Sequence, residues 1–214
     1  MTPLLQHQRL WLLPAALTLL CILALPAVRH WLEAGMSTHM LLQYPLIALA
    51  GFLLAAALPS RWPPRLNAWN AHGISGLFAS ALILALLMIP RVLDLALVDG
   101  RTELAKWLSL LFCGAALRLS WQAAGLLVQG FFLGNVLPMM AVVGYLYESS
   151  PVRVCNAYLL DDQVRLGQWL VWISVGIALA WFAGLVHTLM KQEDAATLPA
   201  HPDESAGTTP PIAP

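Results

Sequence analysis

Charge is what this chain has least of: 10% of its 214 residues are Asp, Glu, Lys or Arg, against about 25% in an ordinary soluble domain. A soluble fold of this length needs a polar exterior, and so few charged side chains cannot supply one unless lipid is the solvent over much of the surface. An excess of either sign is also lacking, since eleven basic residues are balanced by eleven acidic ones. No long-range field recruits nucleic acid, which is therefore excluded as an expected partner. Cysteine is scarce. Cys21, Cys113 and Cys155 lie far apart, which excludes a CxxC redox or zinc motif and gives no disulfide framework. G-x-S-x-G, H-E-x-x-H, the P-loop and the Gly-rich nucleotide fingerprint are all missing, so a hydrolase, an ATPase and a dehydrogenase have no support and the expectation is a non-enzymatic protein.

What the chain does have is apolar length: 59% of it is hydrophobic. A spanning helix needs about 20 mostly apolar residues, because hydrocarbon offers no partner to bare backbone groups. Six stretches meet that need, from about Leu10 to Val28, His39 to Leu58, Ile74 to Val98, Leu104 to Ser120, Ala123 to Tyr147 and Leu166 to Leu189. The expected fold class is all-α, a polytopic transmembrane helical bundle of six spans forming one domain over residues 1–191, with membrane lipid as its first partner. Pro59 and Arg61-Trp62-Pro63-Pro64-Arg65 close the second span with prolines that cannot continue a helix and with interfacial anchors. Arg118-Leu119-Ser120-Trp121-Gln122 is the polar break between the fourth and fifth spans, so the turn is expected there, with Arg118 snorkelling to the interface. The first run follows Arg9 and ends in Ala24-Leu25-Pro26-Ala27, as a signal peptide does. It is longer than the usual signal core of roughly 7–15 residues, and a retained helix is expected. After Lys191 the composition turns to Pro, Ala, Thr, Asp and Glu, and residues 192–214 are expected to be a disordered polar tail.

Orientation is nearly balanced by count. Arg9, Arg61, Arg65, Arg118 and Lys191 fall on the side of both termini, and Arg29, Arg101, Lys106, Arg153 and Arg165 on the other. The expectation is cytoplasmic termini.

The segment richest in possible chemistry is Met36-Ser37-Thr38-His39-Met40-Leu41-Leu42-Gln43, at the mouth of the second span. On a helix, Met36 and Met40 flank His39 on neighbouring turns, and thioether with imidazole suits Cu(I), a soft ion for which oxygen-rich sites compete poorly. The alternative is that the methionines pack in the core and His39 meets water at the interface. Met88, in the outward half of the third span, could reach the same depth, which makes Met36, His39, Met40 and Met88 the candidate metal ligands. Arg91 and Asp94 read as an ion pair that pins the end of the third helix. Asp161 and Asp162 read as carboxylates complementing the start of the sixth. Cys155 reads as a surface thiol or an incidental one.

Four of these places carry a family resemblance. His39-Met40-Leu41-Leu42-Gln43 is similar to a His-Met-x-x-His helix start, and Leu87-Met88-Ile89-Pro90 with Leu93-Asp94-Leu95-Ala96-Leu97 to a Trp-His-Leu-Pro segment trailed by Tyr-Asp-Ala-Ala-Leu. Leu137-Pro138-Met139, then Ser150-Pro151 and Ala157, is similar to a Leu-Pro-Met helix and the loop behind it. Asp162-Gln163 with Gly167 and Trp172 resembles an Asp-Gln-Gln-x-x-Gly opening. Together, over roughly residues 36 to 187, they resemble the CtaG-like cytochrome c oxidase assembly factors, bacterial polytopic membrane proteins linked to copper delivery. The resemblance implies a bacterial inner membrane protein that handles Cu(I) for a respiratory oxidase, with oxidase subunits as partners. The departures are Gln43 and Met88 at two histidine positions, and Glu103-Leu104-Ala105-Lys106-Trp107 where the family's next helix opens with histidines. The alternative they imply is an accessory structural subunit that holds no metal.

Overall fold

The computed structural model describes residues 3–57 and 70–197, and every element among them is helical. Helix α1 (Pro3–Ala24) meets α2 (Pro26–Glu33) at Leu25 with a bend of 71°. Helix α3 covers Met36–Ala57. Helix α4 (Ile74–Leu87) and α5 (Pro90–Val98) meet with a bend of 76°. Helices α6 (Gly100–Trp121), α7 (Leu126–Ser149) and α8 (Leu160–Thr197) follow. Both bends have one cause. Proline lacks an amide and crowds the preceding turn, so the residue before it becomes extended. Leu25 has φ −61° and ψ 129°, and Ile89 has φ −71° and ψ 122°.

Among the described residues each of the six expected stretches lies mostly on helix, but fewer qualify as spans. Helix α3, helix α7 and residues Leu160–Lys191 are long and apolar enough to cross a membrane, which makes three, or five if each bent pair is one span. The expected fourth span lies in α6, which carries Lys106 and Arg118 and is not among them. The turn after α6 comes later than expected: Arg118 is still helical, its guanidinium 5.7 Å from the centre of the Phe52 ring. Helix α8 continues through Thr197, past the expected start of the tail at Gln192. The rest of the expected tail, and residues 58–69 with Arg61 and Arg65, lie outside the described residues.

The chain divides into two units, Met1–Ile177 and Ala178–Pro214. In the second, the described residues are the later half of α8, with Leu179 and Phe182 exposed. In the first, α6 packs against α3, α4 and α5, and α3 also packs against α1. The approach of α3 to α6 is set by glycine, since a methyl group on Gly51 would overlap the Leu111 carbonyl and one on Gly114 the Ala48 carbonyl. Close backbone contact of this kind is how helices associate where lipid removes the hydrophobic drive between them.

Candidate functional site

The site begins with a local irregularity in α3. Pro45 cannot donate to the Leu41 carbonyl, and its ring crowds that carbonyl. Over His39–Gln43 the chain widens into a π-helical turn, with the Tyr44 amide bonded to the His39 carbonyl. Such turns carry one extra residue and commonly occur at functional positions. Here the turn brings His39, Met40 and Gln43 together on the buried face, with Met36 one turn earlier.

His39 is fully enclosed. Its Nδ1 lies 2.7 Å from the Tyr158 hydroxyl and its Nε2 lies 3.0 Å from the Lys106 ammonium. Lys106, 1% exposed, also donates to Gln43 Oε1 at 3.2 Å and to Glu33 Oε1 at 3.3 Å. An ammonium has three N–H bonds and no acceptor, so these three partners exhaust it. Donation from Lys106 to Nε2 assigns the imidazole proton to Nδ1, from which it is donated to Tyr158. Glu33 accepts further from Gln43 Nε2 at 3.1 Å and from Arg29 Nε at 3.3 Å, and Arg29 reaches Glu103 at 3.0 Å. The result is a polar ladder, Glu103, Arg29, Glu33, Lys106, His39, Tyr158. Its two cations and two carboxylates cancel. Pairing is the condition on which charges persist away from water.

The segment between α7 and α8 delivers Tyr158 and is itself fastened at several points. Gln163 accepts from the Val154 amide at 2.8 Å and donates to the Tyr147 carbonyl at 3.0 Å. Asp94 accepts from the amides of Asn156 at 2.9 Å and Ala157 at 3.3 Å. Asp162 takes the Met36 amide and, at 2.8 Å, the Ser37 hydroxyl. The Asp162 carboxylate therefore satisfies the free amides at the start of α3 as well as standing in the first turn of its own helix. Burial pushes the Tyr158 hydroxyl above the ordinary tyrosine range. The Cys155 thiol goes up to about 12, by burial and then by the neighbouring Asp94 carboxylate.

Several expectations change. Cys155 is no surface thiol: it is 1% exposed and its Sγ faces the Pro90 carbonyl at 3.9 Å. Arg91 is exposed and forms no ion pair with Asp94 among the described residues, because Asp94 is given to the backbone of the following loop. Of the four candidate ligands, Met36 and Met40 lie in the main core cluster and Met88 packs against that cluster. His39 turns both ring nitrogens to protein partners. Among the described residues no three His, Cys, Asp or Glu side chains group as a metal site. Sequence reasoning passed over Glu33, Lys106 and Tyr158. Lys106 did leave a signal, as a cation near the start of an apolar run with few other charges. Glu33 and Tyr158 left none, since they lie 73 and 52 positions from Lys106.

The chain matches no protein-family model, no curated protein and no solved structure.

Proposed function

We propose that this chain is an accessory protein of a respiratory oxidase in a bacterial inner membrane, with cytoplasmic termini, and that it holds an internal ammonium where a copper-handling relative would hold a metal ion. The observation that carries the reading is Lys106 Nζ at 3.0 Å from His39 Nε2, shared with Gln43 and Glu33. Of these residues, His39, Gln43 and Lys106 stand at, or beside, the places where the resembled family has histidine. A neutral imidazole offers one lone pair, and here that pair points at a cation. A copper ion bound to the same lone pair, about 2 Å from the nitrogen, would fall almost where the ammonium stands, 3.0 Å along that direction, so the two cannot occupy the site together. As arranged, His39 does not fit a metal, and the ladder's role is to fix α2, α3, α6 and the Tyr158 segment in one geometry. Membrane insertion is supported by the apolar helices and by side chains such as Phe78 and Leu127, 69% and 87% exposed, which need lipid around them.

A second reading keeps copper. Its support is the packing of Met36, Met40 and Met88 on one cluster beside His39, and it requires Lys106 to withdraw. Metal analysis of the detergent-purified protein supplied with Cu(I) separates the two. The metal-free reading expects no stoichiometric copper in the wild type. One copper per chain, lost in His39→Ala and in Met88→Ala, would establish the second reading in its place.

A further inference from the structure

Helix α7 is long and apolar enough to cross a membrane, yet only a small part of it is covered by the rest of the chain. Its open face runs through Leu127, Phe131, Gly134, Asn135, Pro138 and Val142, all exposed. Asn135 lies about 14 Å along a helix of about 36 Å, near the level at which hydrocarbon is driest. A primary amide there has no water to bond. Its Nδ2 folds back on the Phe131 carbonyl at 2.7 Å. That leaves one N–H and the Oδ1 without a partner among the described residues. Pro138 adds to the deficit, because it has no amide to give the Gly134 carbonyl one turn earlier. Beside Asn135, Gly134 opens onto empty space, with nothing within 4 Å of where a side chain would begin.

One level of α7 thus offers a donor, two acceptors and room for close approach, on a face that is otherwise apolar. Lipid tails satisfy none of this. A helix that brings both a donor and an acceptor to the same depth does. A primary amide is self-complementary: across a two-fold axis the Oδ1 of each Asn135 meets the Nδ2 of the other, and the two Gly134 positions let the backbones approach. We propose that this face of α7 binds α7 of a second copy of the chain, closed by a pair of Asn135 amides. The proposal rests on α7 lying in a bilayer and is independent of whether the Lys106 site holds metal.

The test uses the full-length protein with its exposed Cys21 replaced by serine, labelled at one added surface cysteine and reconstituted at low density in phosphatidylcholine vesicles, with single-molecule photobleaching to count copies. Two-step bleaching is expected for the wild type. Asn135→Leu and Gly134→Leu should each weaken association about tenfold, while Asn135→Gln retains it. Both positions are exposed, and Gly134 has open space where a side chain would begin, so melting of the monomer should not change. Phe131→Cys should also form a disulfide between copies under mild oxidation, and Phe78→Cys on another face should not. Single-step bleaching of the wild type, or dimers indifferent to both leucine variants, would overturn the proposal. So would a monomeric wild type whose capture by an oxidase complex depends on Asn135, which would assign the face to a different protein's helix.

Discussion

At the scale of single residues, the strongest constraint is the three-way contact of Lys106. Its partners are not interchangeable, because removing one member of a buried pair strands the other in a medium that penalises charge. Lys106→Met should destabilise the detergent-solubilised protein by about 3 kcal/mol. Glu33→Gln should cost at least as much, since it strands the enclosed Lys106 ammonium, whereas Lys106→Met leaves Glu33 its pairing with Arg29. The double variant should cost less than the sum of the two by about 1–3 kcal/mol. Thermal unfolding of the four proteins measures this, and strict additivity would show that the ion pair does not couple. Tyr44 makes the opposite case. Its ring stands edge-on to His39 with centroids 5.3 Å apart, while its buried hydroxyl has no partner among the described residues. Tyr44→Phe keeps the ring and removes an unsatisfied group, so it should be neutral or stabilising by about 1 kcal/mol. A loss of similar size would mean that a bound water or ligand holds the hydroxyl. The histidine and methionines of α3 were legible in the sequence because they are adjacent. Their true partner was not, because composition marks Lys106 as unusual without saying which distant carboxylate neutralises it.

At the scale of elements, proline accounts for most of what local sequence could reveal. Pro26, Pro45 and Pro90 mark a bend, a π-turn and a second bend, and each follows from a missing amide and a crowded carbonyl. The six apolar runs fall on helix for the same local reason, the need of backbone groups for partners. What local reasoning could not provide is the course of the segment before α8. Asp94 and Asp162 were legible as polar residues and were assigned to their own helices, whereas the fold spends both on distant backbone amides, and Gln163, given no role, on the Val154 amide. The segment so fastened shields Cys155. A membrane-impermeant maleimide at neutral pH should leave Cys155 unlabelled in the native protein, because the thiol is both enclosed and held protonated up to about 12. Asp94→Ala frees the Asn156 and Ala157 amides and should raise the labelling rate about tenfold or more. Labelling of the wild type as fast as a free thiol would show that the segment is open in solution.

At the scale of the whole molecule, the positive and negative groups assigned to one side of the membrane by sequence do meet, Arg29 with Glu103 and Lys106 with Glu33. The two bends have a further consequence, for the thickness of lipid that the molecule can match. Helix α4 runs about 21 Å before it turns, and α5, inclined by 76°, adds only about 3 Å along the same axis. The apolar part of α1 is of similar length, about 22 Å, and α2 adds about 4 Å. Helices α3 and α7, at about 33 and 36 Å, would cover a hydrocarbon layer of about 30 Å in full. In a bilayer the lipid beside α1 and α4 would therefore have to thin, at a cost of a fraction of a kcal/mol per Å. In nanodiscs of graded acyl length the melting temperature should peak at chains shorter than those of ordinary membranes, and α1 and α4 should lose hydrogen-exchange protection first as the chains lengthen. With α1 and α4 this short, thin membrane would suit the protein best, and it would gather where the bilayer is already deformed, as it is around larger neighbours.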